Sequence, residues 1–269
     1  MNLFEKILYL LQKEMTEPEA FGWFHILWII ITIVSIIFLY KIRNRYNEKQ
    51  LKLVLGTYGF IALVLEILKQ IIWSFNYENG VVIWDYQWYA FPFQLCTTPI
   101  FVSIICVFLK KNKIRDALLS YLAFTTILGG LMTILIPDSC LVETILVNIH
   151  TMWLHCGSFV ISIYLIFNEV KLNIKSLISS FITFIIFVFI AQILNIIIYN
   201  IGILNDEVFN MFYISPYFIS ELPIFNTIQQ NVPFILYLLI YIVVICLGST
   251  MIYLVSKTIK NIIYKILKI

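Results

Sequence analysis

The chain has 269 residues, 61% of them hydrophobic and 12% charged, with a mean hydropathy of +0.95 and a formal net charge of +3. That much apolar surface cannot be buried in one core of this size, so a soluble globular domain is excluded and a single polytopic helical membrane domain is expected. The small positive excess sits beside apolar runs, where it orients the protein and touches anionic lipid; it does not point to nucleic acid.

Residues 1–20 open with Leu3, Phe4, Ile7, Leu8 and Leu11 at helical spacing, with Lys6 and Lys13 among them. The apolar run is short, acidic residues flank it and no small-residue cleavage site follows. A cleaved signal is therefore not expected, and an amphipathic helix lying on the outer surface is. Beyond it, seven windows are long and apolar enough for a ~30 Å hydrocarbon core. They run Phe24 to Tyr40, Leu53 to Trp73, Phe93 to Leu109, Ala117 to Ile136, Ile145 to Phe167, Leu177 to Tyr199 and Val232 to Val255.

Basic residues fall in alternate gaps. Lys41, Arg43, Arg45, Lys49 and Lys52 follow the first window, Lys110, Lys111, Lys113 and Arg115 the third, Lys171 and Lys175 the fifth, and Lys257, Lys260, Lys265 and Lys268 the last. The opposite gaps carry Glu78, Asp85, Asp138, Glu143, Asp206, Glu207 and Glu221 and no Lys or Arg. The positive-inside rule then predicts an all-α protein of seven transmembrane helices, N-terminus outside and C-terminus cytoplasmic. The bundle spans 21–256 and a basic tail 257–269. The long outer connection 200–231, rich in Tyr, Phe, Asn and Pro, is either a cap over a site or an interfacial aromatic belt. Five cysteines without close pairing, most of them within the windows, do not make a disulfide framework.

Ionisable groups within a span cost about 2.5–3.5 kcal/mol each, so each is a functional candidate. Glu66 and Lys69 share a helix face with Gln70 beside them, either as a self-neutralised structural pair or as a charge relay or head-group clamp. Their depth in the outer half is shared by Cys96 at the start of the third window, His25 at the first, His150 and His155 in the fifth, and Gln192 and Asn195 in the sixth. His150 and His155 stand about 140° apart on a helix and do not face one partner. Cys96 follows Phe91-Pro92 and begins a polar triplet with Thr97 and Thr98. A thiol there reacts as thiolate if a His takes its proton.

These pieces resemble the YwaF-type family of bacterial integral membrane proteins, to which a eukaryotic transmembrane phospholipid acyltransferase is similar. The likeness rests on Phe21-Gly22-x-x-His25, Glu66-x-x-Lys69, Phe91-Pro92-Phe93-Gln94-Leu95-Cys96, Ile136-Pro137-Asp138, His155 and Asn210-Met211-Phe212-Tyr213. It implies a seven-helix bundle in a bacterial plasma membrane and acyl transfer with a phospholipid or lysolipid, without a cofactor. By position the nucleophile is Cys96 and the base His155, with His25, Glu66, Lys69, Gln192, Asn195 and Asn210 about the substrate. Gln94 departs from the pattern, standing where a histidine is common, and Thr97 is the alternative nucleophile. Two other classes stay open: a metal-dependent lipid hydrolase using His25, His155 and a carboxylate or Cys96 around zinc, and a non-enzymatic lipid or small-molecule binding or transport protein.

Overall fold

A computed structural model describes residues 2–43, 46–78, 81–137 and 140–267. Arg45, Asp138 and Lys268 of the charge pattern lie outside the described residues. Helix α1 (Leu3–Leu11) starts on a reciprocal cap, Asn2 accepting from the Glu5 amide and Glu5 from the Asn2 amide. Its Leu8 is fully buried, Phe4 meets Phe75 edge-on, and Gln12 donates to the carbonyls of Ile72 and Phe75.

Six helices among the described residues are long and apolar enough to cross a membrane. They are α2 (Trp23–Lys41), α3 (Glu48–Ile72), the joined pair α5 (Lys113–Phe124) and α6 (Thr126–Leu135), α7 (Ile145–Asn168), α8 (Ile174–Ile201) and α10 (Phe234–Leu267). Each covers one of the expected windows. Broad apolar faces of α2, α8 and α10 stay exposed, as lipid-facing surfaces do.

The window Phe93 to Leu109 differs. Helix α4 runs only from Thr98 to Phe108, eleven residues, or about 16 Å. Cys96, expected in the first helical turn, lies instead in a turn ahead of the helix. Pro92 and Pro99 bring no amide donor. Thr97 spends its hydroxyl on the Gln94 backbone, accepting from its N–H and donating to its C=O at 2.9 Å each, so a local turn replaces the helical ladder.

Strands β1 (Phe75–Glu78) and β2 (Val81–Trp84) follow α3 as an antiparallel hairpin with Phe75 opposite Trp84. Helix α7 is the centre of the bundle and packs on α2, α3, α4, α5 and α6. Its closest neighbours approach through glycine: a Cβ on Gly130 would lie 2.5 Å from the His155 carbonyl oxygen, and one on Gly157 2.7 Å from the Tyr58 ring. Helix α8 packs on α5 and α10. The segment that follows it turns back into the bundle, burying Phe209, Met211, Phe212 and Ile214 completely before α9 (Pro223–Asn231) leads to α10. At the basic end the buried guanidinium of Arg115 clasps Glu48 with two bonds of 2.7 and 2.9 Å, joining α5 to α3.

Candidate functional site

Two turns of α3 supply a charged cluster that α7 completes. Glu66 is 2% exposed and receives Lys69 Nζ at 2.7 Å, Gln70 Nε2 at 2.8 Å and His150 Nε2 at 2.8 Å. A carboxylate only accepts, so His150 Nε2 carries a proton; its buried Nδ1 has no hydrogen-bond partner among the described residues. Gln70 passes the network outward, donating to the Ala90 carbonyl at 2.7 Å and accepting from Tyr86 Oη at 2.8 Å. Burial, with the field of Glu66, pushes the Tyr86 phenol up to about 12, so it serves as a neutral donor. Tyr86 also lines a cleft of about 460 Å3 with Trp84, Trp88, Phe91, Asp85 and Glu207. The relay therefore joins the interior cluster to an aromatic, acidic opening.

Cys96 packs against Ala62, Ile100 and Leu154, between α3, α4 and α7. Its thiol sits in the electrostatic field of Lys69 and Glu66. Thr97 is buried and its hydroxyl is engaged by Gln94. His155 follows Leu154 in α7, and its Nδ1 lies 3.2 Å from the Gly129 carbonyl oxygen. Because that oxygen can only accept, Nδ1 holds the ring proton and Nε2 presents the lone pair. The two histidines thus bond to different partners, His150 to Glu66 and His155 to α6.

The remaining expected site residues meet backbone. Asn195 is fully buried and brackets Met211, accepting its N–H at 2.7 Å and donating to its C=O at 3.0 Å. Gln94 holds the same loop from the other side, donating to the Asn210 carbonyl at 2.9 Å and accepting from the Phe212 amide at 2.7 Å. Asn210 accepts from the Ser215 amide at 2.8 Å and donates to the Ile219 carbonyl at 3.2 Å. Between these clamps Phe212 and Tyr213 adopt φ of 58° and 59°, a left-handed pair that side chains disfavour. His25 is fully buried and its Nδ1 accepts the Phe21 amide at 3.1 Å, fixing the turn in which Phe21 has φ 57°. Gln192 has a buried Oε1 without a hydrogen-bond partner among the described residues.

His150, Gln70 and Tyr86 complete the cluster; the sequence places Gln70 beside the charge pair and His150 at its depth without giving either a role, and does not point to Tyr86. Gln70 carries a usable signal, one turn beyond Glu66 on the same face. For His150 and Tyr86 the meeting is a product of tertiary packing. Among the described residues no three His, Cys, Asp or Glu side chains are grouped to hold a metal ion.

Neither a comparison with curated proteins nor one with solved structures finds a match. A family model does: that of the TMEM164 family matches residues 20–253, from the turn before α2 to the middle of α10. The matched stretch contains every residue of the cluster around Glu66 and Cys96, and the chain belongs to the TMEM164 family, a family of membrane proteins.

Proposed function

We propose that this protein is an acyltransferase embedded in a bacterial plasma membrane, acting on outer-leaflet phospholipids and lysolipids with Cys96 as nucleophile and His155 as base. The observation that carries the reading is the setting of Cys96: a thiol in a non-helical turn inside the bundle, in the field of the Lys69–Glu66 ion pair, packed on the residue that precedes His155. The tautomer of His155 adds to it, since Gly129 takes the Nδ1 proton and leaves Nε2 basic.

In the first half-reaction the Cys96 proton passes to His155 Nε2 and the sulfur bonds the ester carbonyl carbon. The C–O bond to the donor lipid then breaks, its oxygen taking the proton from His155, and a thioester remains. In the second half, a lysolipid hydroxyl gives its proton to His155 and attacks the thioester; the thiolate leaves and recovers that proton. Lys69 balances the charge of the tetrahedral oxyanion, and Glu66 holds Lys69 and His150 in place. Gln192 Oε1 offers an acceptor to the incoming hydroxyl, while Gln94, Asn195 and Asn210 fix the loop that carries Tyr213. His25 shapes the outer end of α2.

In this reading the chain crosses the membrane seven times, with α4 and its irregular entry as the third crossing, the N-terminus outside and the C-terminus in the cytoplasm. Helix α1 lies in the outer interface, 200–231 caps the site and 257–269 is a basic cytoplasmic tail. The test is acyl exchange between a labelled phosphatidylcholine and a lysophospholipid in proteoliposomes. Cys96→Ala is expected to abolish transfer, His155→Gln to lower it by about 10²–10⁴-fold, and Cys106→Ala to leave it intact. Unchanged turnover in Cys96→Ala overturns the proposal.

A further inference from the structure

A second cavity, of about 380 Å3, opens between the starts of α5 and α8. It belongs to the other end of the bundle from Cys96: α4 begins beside Cys96 and ends at Phe108, shortly before Lys111, and α7 carries His150 near its start and ends at Asn168, just before Glu169. Lys111, Lys113, Lys171 and Lys175 line it together with Ser176 and Ser179.

Four ammonium groups here face two carboxylates, Asp116 and Glu169. Glu169 is already engaged: it accepts from the Tyr46 hydroxyl and forms a long ion pair with Lys111 at 3.8 Å. Lys113, Lys171 and Lys175 make no ion pair among the described residues. Two helices also start at this wall, α5 capped by Asn112 and α8 by Asn173, so the positive ends of two helix dipoles add to the lysines.

We propose that this cleft binds a phosphate anion, carried by an anionic lipid head group or by a free phosphate ester. Ammonium groups act as point charges that suit a tetrahedral oxyanion, and serine hydroxyls supply neutral donors beside them. The cleft sits where the apolar lengths of α5 and α8 begin, the level at which a lipid phosphate lies. It is separate from the Cys96 site and independent of the chemistry proposed there.

The test uses the full chain purified in a neutral detergent, with dihexanoyl phosphatidylglycerol, dihexanoyl phosphatidylcholine and inorganic phosphate as probes. Binding is read by native mass spectrometry and by the shift in melting temperature. Phosphatidylglycerol is expected to bind and to raise the melting temperature, less so as salt increases, and phosphatidylcholine is not. Replacing the four lysines together (K111Q, K113Q, K171Q, K175Q) is expected to weaken phosphatidylglycerol by about a hundredfold or more. An equal loss of charge outside the cleft (K49Q, K257Q, K260Q, K265Q) is expected to change it by less than about threefold. A cleft variant that melts like wild type without lipid shows that the fold is intact. Competition by inorganic phosphate identifies a phosphate-ester site, and lipid binding without competition identifies a head-group site; both support the proposal. Equal weakening in the two variants, or equal binding of the two lipids, overturns it.

Discussion

Glu66 holds three partners on two helices, and its isosteric replacement by Gln separates charge from shape. In Glu66→Gln the Lys69 ammonium, whose side chain is 11% exposed, loses the one counter-charge it has among the described residues while remaining inside the bundle. Breaking one side of a buried ion pair costs about 3–5 kcal/mol, mostly for the stranded charge. The single variant should therefore melt well below wild type in detergent, and Glu66→Gln combined with Lys69→Met should recover much of the loss. If Glu66→Gln melts like wild type, the cluster does not tie α3 to α7. The sequence is informative here up to a limit: an acid and a base three residues apart announce a shared face, and the common depth of Cys96, His150 and His155 announces one end of the bundle. Which imidazole meets Glu66 was not legible. That depends on how α7 is rotated about its axis, which follows from the Gly157–Tyr58 approach rather than from any period in the chain. The amides show the same limit. Asn195 reads as a polar group about the substrate and Gln94 as a stand-in for a histidine, whereas each is occupied by backbone on a loop more than fifteen positions away.

At the scale of elements, the long helices were legible because apolar length and basic punctuation bound each of them, and α4 was not. Phe93 and Leu95 extend the apolar window in composition, yet two prolines and the Thr97 hydroxyl shorten the helix inside it. The hairpin of β1 and β2 carried a signal that hydropathy does not report, namely Asn79-Gly80 between a run that alternates aromatic and polar residues, Phe75 to Glu78, and a run of β-branched residues ending in Trp84. Close helix packing gives this scale its prediction. At Gly130 a methyl group would stand 2.5 Å from the His155 carbonyl oxygen and 2.9 Å from Phe159 Cβ, so α6 must move off α7; at Gly56 the nearest atom is a Val107 methyl at 3.6 Å. Gly130→Ala should destabilise the protein by about 1–3 kcal/mol or more, as overpacking does, whereas Gly56→Ala should be near neutral or slightly stabilising. Comparative melting of the two variants measures this. Because Gly129 accepts from His155 Nδ1, Gly130→Ala should also depress the proposed acyl transfer beyond its effect on folding. Equal stability of the two variants would show that α6 is free to shift against α7.

For the whole molecule, the parity of membrane crossings turns on α4. Six helices meet the length that a bilayer demands, and eleven residues of α4 do not. Six crossings would put both termini on one side; seven put them on opposite sides. Non-helical backbone is tolerated at membrane depth only where protein surrounds it. The entry to α4 meets that condition: Gln94 is bonded to the Asn210–Phe212 loop, Thr97 to Gln94, and Thr98 to Tyr121 at 2.6 Å. The turn and α4 together can therefore cover the thickness that the helix alone cannot. The basic residues agree, since α3 and α4 lie between Lys41 and Lys110, and with α3 crossing the two basic groups fall on one side only if α4 crosses as well. A fluorescent protein fused after Ile269 should then fold and fluoresce in the cytoplasm, while an epitope placed before Met1 should be cleaved by protease added to intact cells. Protection of both ends would mean that α4 re-enters without crossing, and an exposed C-terminus with a protected N-terminus would mean that the charged gaps do not set the orientation. In either of those cases the Cys96 cluster would no longer be assigned to the outer leaflet, and the acyl donor would have to come from the other side.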